Sequence, residues 1–498
     1  MTAAQRQVRS SSILVGGRLF AIAVNLGVQV LTVRYLSQSD YGAFAYALSL
    51  VAMVETISTL GLDRTVGRFV PTYHEQGDVA RLFGTLVTVV ATAVTVGLGA
   101  VVVIAAGVGL VIGPDDQLLR TLVVLLVALG PIQALDHLSE NFLAAFGRAR
   151  GIVLRRHILG PLLKLGAVLV VVSIGSDVQM LASAYVITGL TGMALYVPLL
   201  VRTLRDAGLL GRIGPRDIRP PVRELFAFAL PLLAIDAALV VRTTVDAIIV
   251  EAHHGTDEVA ILRSVQPIAR LNQLIFGTFA IMYTPLAARI LARKDDRELD
   301  DLYWQAAAWQ ALASFPIVAV TAILATDVAI LLFGDEYAAA GPVLALLAIG
   351  YYANAATGQN ALTLRVVGRI RWIVGAALVA GGTTLALDVA LIPGWGAVGA
   401  AAAAAIGLIL QNVVNQVGLH RRTVVGPPTP RLVRFYAALV GSLVVLAVIA
   451  WLARPGLIPG IALTVLVTVM LAASFRSDLR VGSTFPEMRR LPVIGRWL

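Results

Sequence analysis

The sequence predicts an all-α polytopic membrane protein with about fourteen transmembrane helices. Three observations predict this class: 58% of the 498 residues are hydrophobic, only 14% are charged, and the apolar residues form runs long enough to cross a bilayer. Soluble globular domains carry about 25% charged residues. The composition therefore excludes an ordinary soluble fold.

The apolar runs recur along most of the chain. A helix needs about 20 mostly apolar residues to span the hydrocarbon core. Segments of this kind lie at 12–33, 42–62, 82–112, 118–141, 152–174, 179–201, 225–250, 258–285, 303–326, 338–364, 371–392, 396–419, 432–453 and 457–475. Lipid offers no partners to open strand edges, so each segment is expected to be helical. The first segment has no small-residue cleavage site and is expected to be a retained helix, not a signal peptide.

Basic residues are concentrated in one set of alternate loops. That set holds about 31 of the 39 basic residues, whereas the other set holds Arg34, Arg120 and Arg454 and is otherwise short and acidic. Cytoplasmic loops carry the excess of Lys and Arg in membrane proteins. The asymmetry predicts a multi-pass protein of the cytoplasmic membrane with both termini in the cytoplasm. It also explains the net charge of +10 without a nucleic-acid partner.

An internal repeat divides the chain. "FGRARGIV" at 146–153 corresponds to "VGRIRWIV" at 367–374, and the acidic helix starts at 39–49 and 257–267 correspond in the same way. The spacing predicts a six-helix lobe over 1–207, a second over 208–430, and two extra helices with a basic cytoplasmic tail over 431–498. Both lobes start on the cytoplasmic side, so the repeats are parallel and place a substrate cavity near the midplane between them.

Three stretches carry a resemblance to a known family. They are "RYLSQSDYGAFAYALSLVAMVETISTLGLDRTVGRFVP" at 34–71, "ELFAFALPLL" at 224–233 and "IPGWGAVGAAAAAAIG" at 392–407. They resemble the Wzx-type polysaccharide-biosynthesis flippases of the multidrug/oligosaccharidyl-lipid/polysaccharide (MOP) exporter superfamily. The resemblance implies two lobes arranged in a V, alternating access, and flipping of an undecaprenyl- or dolichyl-linked sugar across the cytoplasmic membrane. The expected partners are a lipid-linked glycan, membrane lipid and glycan-assembly enzymes.

Polar residues inside the predicted spans are the candidate site. An ionisable residue at mid-bilayer costs about 2.5–3.5 kcal/mol, so it usually faces a cavity or a partner. We hypothesise that four arginines hold a diphosphate, because the guanidinium fork binds phosphate oxygens bidentately: Arg18, Arg242, Arg263 and Arg270. Neutral polar residues that are expected to line the cavity recur at helical spacing in the first and eighth predicted spans, 12–33 and 258–285: Asn25, Gln29, Gln266 and Gln273. The candidates for coupling to H⁺ or Na⁺ are Glu55, Asp236 and Asp246.

The alternative is that these charges cancel in structural ion pairs, as Arg242 and Asp246 could, one turn apart. Lys164 either joins the cavity or pairs with an acid. Asp136, His137 and Glu140 lie beside Arg148 and Arg150 in the sequence, which predicts interfacial ion pairs.

Two other functions compete with the flippase. A cation-coupled multidrug exporter of the MATE type typically carries an acid in helix one, whereas this chain has Arg18 there. A membrane glycan polymerase or ligase needs a sizeable external loop, and every predicted external loop is short. "GWGAVG" at 394–399 matches a dinucleotide fingerprint but follows no strand, so it predicts a tight turn with close helix packing. The sequence thus predicts a transporter that is not an enzyme and has neither a cofactor nor a metal site.

Overall fold

The computed structural model describes residues 3–114, 116–211, 214–240, 244–476 and 479, and within these ranges it contains helices and no strand. Among the described residues, twelve helices are long and apolar enough to cross a membrane. The predicted all-helical membrane class is confirmed. The count of fourteen stays a prediction, because predicted segment 225–250 is interrupted by residues 241–243, which lie outside the described ranges.

One compact unit spans Met1–Ala260. Its helices are α1 (Ala3–Tyr35), α2 (Gln38–Thr59), α3 (Asp63–Glu75), α4 (Val79–Val111), α5 (Gln117–Val127), α6 (Leu129–Ala145), α7 (Ala149–Ile152), α8 (Gly160–Ile174), α9 (Val178–Asp206), α10 (Val222–Val240) and α11 (Asp246–His254). A π-helical turn, Val153–Leu159, joins α7 to α8. Short α3 packs its apolar side, including Val66, Val70 and Tyr73, against α4, α6 and α10.

The second compact unit spans Ile261–Leu498. Its helices are α12 (Thr256–Ala269, which begins in the first unit), α13 (Asn272–Arg293), α14 (Asp296–Val318), α15 (Ala325–Phe333), α16 (Ala340–Ala356), α17 (Asn360–Val366), α18 (Ile370–Arg422), α19 (Pro430–Ala453) and α20 (Leu457–Ser474). A π-helical turn, Ala319–Ile323, follows α14. The last two helices pack on α14 and α16 through Phe435, Leu439 and Leu471. The predicted boundaries at 207/208 and 430/431 stay a prediction.

Helix α18 covers two of the predicted spans. Gly396 lies inside it with φ 53° and ψ −133°, a conformation open to glycine, so the chain kinks where the sequence predicts a tight turn. A Cβ added at Gly399 would lie 2.7 Å from the carbonyl oxygen of Leu391, which is the close helix packing expected of "GWGAVG".

The repeat is visible in the turns that end corresponding helices. After α6, Gly147 N–H donates to Ala144 and Arg148 N–H to Leu143. After α17, the amides of residues 368 and 369 donate to the carbonyls of 365 and 364 in the same pattern. Both glycines have positive φ, 67° and 80°, as a left-handed helix C-terminus requires. The sequence match between 146–153 and 367–374 therefore marks one local structure used twice.

Candidate functional site

A polar cavity lies inside the first unit. Its volume is about 300 Å³, and it is lined from α1, α2, α6, the first π-helical turn, α8 and α9. The polar and charged lining residues are Asn25, Glu55, Gln133, Asp136, His137, Arg155, Arg156, Lys164, Tyr185 and Thr188. Several charges thus face one space within helices that are apolar enough to cross a membrane.

Arg155 is the most enclosed charge in the cavity, with 7% of its surface exposed. One guanidinium nitrogen lies 2.5 Å from Asp136 Oδ1, and its Nε–H donates to the Gly192 carbonyl at 2.8 Å. The guanidinium also stacks 5.0 Å from the centroid of the Tyr196 ring. A side chain at Gly192 would meet this group at 2.1 Å, so glycine there is what admits the arginine. The position of the Arg155 guanidinium is therefore fixed by contacts with other residues of the chain.

The neighbouring charges are paired in the same way. Arg156 forms an ion pair with Glu140, and His137 Nδ1 lies 2.7 Å from Glu55 Oε1. Asp136 and Glu140 are one turn apart on α6, so both face the consecutive arginines. Gly160 N–H bonds to the Arg155 carbonyl five residues earlier, and such π-helical turns are frequent at functional sites.

These pairs correct part of the sequence interpretation. The acids of α6 do form ion pairs, but their basic partners are Arg155 and Arg156. Arg148 is paired with Asp206 at 2.5 Å. The predicted span 152–174 includes Arg155 and Arg156, but hydropathy marks only where an apolar run begins and gave neither residue a role. Two acids four residues apart, followed by an Arg-Arg pair, were the signal that could have found this cluster.

Lys164 lines the cavity from α8, one of the two alternatives left open by the sequence. Its ammonium nitrogen lies 5.9 Å from the centroid of the Tyr185 ring. It forms no ion pair with any residue in the described ranges.

The predicted residues of helix one fall in different surroundings. Asn25 lines the cavity inside the first unit, whereas Arg18 is exposed and outside the lining. Gln29 is half-buried and donates to the Tyr41 hydroxyl at 2.5 Å. The binding role predicted for these residues stays a prediction.

The predicted span 225–250 contains two of the predicted coupling acids, Asp236 in α10 and Asp246 in α11. Asp236 is buried and pairs with Arg64 at 2.5 Å. Asp246, also buried, accepts the backbone N–H of Ala247. Arg242 lies outside the described residues. The predicted Arg242–Asp246 pair therefore stays a prediction.

The predicted site residues of span 258–285 belong to the second unit and form local contacts. Arg263 donates to Gln266 at 2.7 Å, and Arg270 donates to the Tyr351 hydroxyl at 3.0 Å. Arg270 follows the end of α12, in the break before α13, where the Leu271 amide bonds to the carbonyl three residues earlier. Gln273 is half-buried near the start of α13. The second unit also has a neutral polar cluster, in which Asn412 bonds to Asn354 and Thr357.

Comparison with known proteins decides the family. A family model described as polysaccharide biosynthesis protein matches residues 8–291, more than half of the chain. The chain belongs to this family. A comparison of the chain with curated proteins found no match.

Solved structures similar to this polysaccharide biosynthesis family member share its fold. The lipid II flippase MurJ, in an inward closed conformation, has a TM-score of 0.73 at 13% identity, covering 94% of this chain and 99% of its own. An inward-facing multidrug resistance MATE family transporter of the MOP superfamily has a TM-score of 0.59 at 16% identity, covering 81% and 94%. A MOP superfamily transporter from Pyrococcus furiosus has a TM-score of 0.56 at 17% identity, covering 83% and 94%. The chain therefore has the fold of MOP superfamily flippases and transporters.

Proposed function

We propose that the protein is a flippase that moves a polyprenyl-(di)phosphate-linked oligosaccharide across the cytoplasmic membrane by alternating access, for the biosynthesis of cell-surface polysaccharide or another glycan. The observation that carries the proposal is a cavity lined by Arg155, Arg156 and Lys164 among the membrane helices of a polysaccharide biosynthesis family member. A polar, partly cationic cavity suits a sugar attached to an anionic lipid headgroup.

The roles of the predicted residues follow from this proposal. Arg18, Arg242, Arg263 and Arg270 bind the diphosphate, while Asn25, Gln29, Gln266 and Gln273 bind polar parts of the substrate. Glu55, Asp236 and Asp246 couple transport to H⁺ or Na⁺. To bind the ion, Glu55 would release His137 and Asp236 would release Arg64. The protein performs no chemical step, and it receives its substrate from glycan-assembly enzymes.

Deleting the gene and identifying the lipid-linked sugar that accumulates on the cytoplasmic leaflet tests the proposal. We expect accumulation of one polyprenyl-linked glycan, reversed by the intact gene. The Arg270→Ala variant should reach the membrane yet fail to reverse it. Normal flipping by that variant would contradict the arginine assignment.

The alternative is a cation-coupled exporter of the MATE type. The fold likeness to the inward-facing MATE transporter, with a TM-score of 0.59, favours this candidate as well. It predicts increased drug sensitivity in the deletion strain and no accumulated lipid-linked sugar, so the same experiment separates the two functions.

A further inference from the structure

The charges of the first-unit cavity balance in pairs, with one exception. Asp136 neutralises Arg155 at 2.5 Å, Glu140 neutralises Arg156, and Glu55 accepts from His137 at 2.7 Å. Lys164 lines the same cavity, and its ammonium nitrogen lies 5.9 Å from the centroid of the Tyr185 ring. The cavity thus presents one ammonium group whose charge no carboxylate of the described residues offsets by an ion pair.

The choice of lysine at this position is itself informative. The chain has 39 basic residues, and only two of them, Lys164 and Lys294, are lysines. Arginine is a planar fork suited to fixed bidentate pairs, whereas lysine is a compact point charge with three donors on a flexible stem. Lys294 is the exposed residue that ends α13 in a left-handed conformation, with φ 58°. Within the described spans, the cavity therefore has a lysine where nearly all other basic positions have arginine.

The surroundings of Lys164 suit an anion. Asn25, Gln133 and Thr188 line the cavity and offer neutral donors from α1, α6 and α9. Asp136 and Glu55 attract the ammonium electrostatically within the cavity, although each already has a direct partner, Arg155 and His137 respectively. A cation without a direct carboxylate partner within a membrane span is costly, and a bound oxyanion would offset that cost.

We propose that Lys164 binds an oxyanion in this cavity, namely a phosphate of the lipid-linked substrate. The proposal rests on the proposed flippase function and adds the lysine to the phosphate-binding residues proposed above, while Arg155 and Arg156 stay with their acids. Arg155 and Arg156 then act as positioning residues, which hold Asp136 and Glu140 in direct ion pairs.

The two lysines make a direct binding experiment feasible on the full-length protein in nanodiscs. An amine-reactive reagent is applied, and modification of Lys164 and Lys294 is followed by peptide mass spectrometry. The ligands are farnesyl diphosphate, inorganic pyrophosphate and farnesol. At a ligand concentration ten times the dissociation constant, the modification rate at Lys164 should fall about tenfold, and that at Lys294 should not change.

The ligand series separates the sources of the oxyanion. Protection by farnesyl diphosphate alone supports a site for a lipid headgroup, and protection by pyrophosphate as well supports a phosphate site that needs no lipid chain. Equal protection by farnesol, equal protection of Lys294, or no protection by either diphosphate would overturn the proposal.

Variants complete the test. Lys164→Met should strongly weaken farnesyl diphosphate binding measured by native mass spectrometry, Lys164→Arg should keep part of the binding, and Lys294→Met should keep all of it. If Lys164→Met fails to fold, the labelling of the protein without substitutions still tests whether Lys164 binds the oxyanion. Labelling requires no transport, so a protein that is protected yet does not flip lipid-linked sugar refutes the flippase and leaves the anion site intact. A protein that flips without protection at Lys164 refutes the anion site alone.

Discussion

The substitution Gly192→Ala tests whether the Arg155 cluster is as tightly built as its geometry indicates. The added Cβ would lie 2.1 Å from Arg155 Nη2 and 2.8 Å from Cζ. The guanidinium cannot simply swing away, because it is held by Asp136 at 2.5 Å and by the Gly192 carbonyl at 2.8 Å. On its other side, a Cβ at Gly160 would already lie 3.0 Å from Nη1. Alanine must therefore displace a buried charge.

The magnitude follows from what that displacement removes. Overpacking a well-filled site costs about 1–3 kcal/mol. The bond from a charged donor to the Gly192 carbonyl contributes about 1.5–3 kcal/mol, and separating a buried ion pair costs about 3–5 kcal/mol. These terms overlap, because one movement of Arg155 causes all of them. We expect the free energy of unfolding to fall by about 3–5 kcal/mol.

Reversible unfolding of the purified protein in mixed micelles measures this change. Gly166→Ala on α8 is the matched control, since a Cβ there meets nothing within 4 Å. It should be neutral or stabilising by up to about 1 kcal/mol, because alanine favours a helix. Adding Arg155→Met and Asp136→Asn together to Gly192→Ala should restore part of the lost stability, since the clash and the unpaired acid are both removed. If Gly192→Ala is as stable as Gly166→Ala, the tight enclosure of Arg155 is wrong.

Three further predictions concern contacts outside the Arg155 cluster. Gly418→Ala should lower the free energy of unfolding by about 1–3 kcal/mol, because its Cβ would lie 2.0 Å from Trp372 Nε1, and Trp372→Phe should relieve part of that loss. Tyr303→Phe should cost about 1–3 kcal/mol in the same unfolding assay, since its hydroxyl lies 2.6 Å from both the Thr357 carbonyl and Gln416; an unchanged midpoint would contradict it. A double-mutant cycle of Arg64→Met and Asp236→Asn should give a coupling energy of about 1 kcal/mol or less, because Arg64 is 37% exposed. A coupling above about 2 kcal/mol would show that this pair behaves as a fully buried one.

Parts of the candidate site could be expected from the sequence. Asn25, Glu55 and Lys164 are polar residues inside predicted spans, and all three line the cavity. The role of Arg155 could not be expected in this way, because a positive residue at the edge of an apolar run resembles a loop residue. Its partners come from α6 and α9, and no periodicity within α7 or α8 carries that information.

The sequence by itself determined the membrane class, the places of most helices, the repeated turns at Gly147 and Gly368, and the family. Each of these depends on the hydropathy or turn chemistry of one continuous segment, which is local in the chain. Only the tertiary structure decided which charges cancel. Asp136 is neutralised by Arg155 and Glu55 accepts from His137, whereas Lys164 has no acid partner among the described residues. Such pairing depends on which faces of separate helices meet, and that choice follows from the packing of the whole unit.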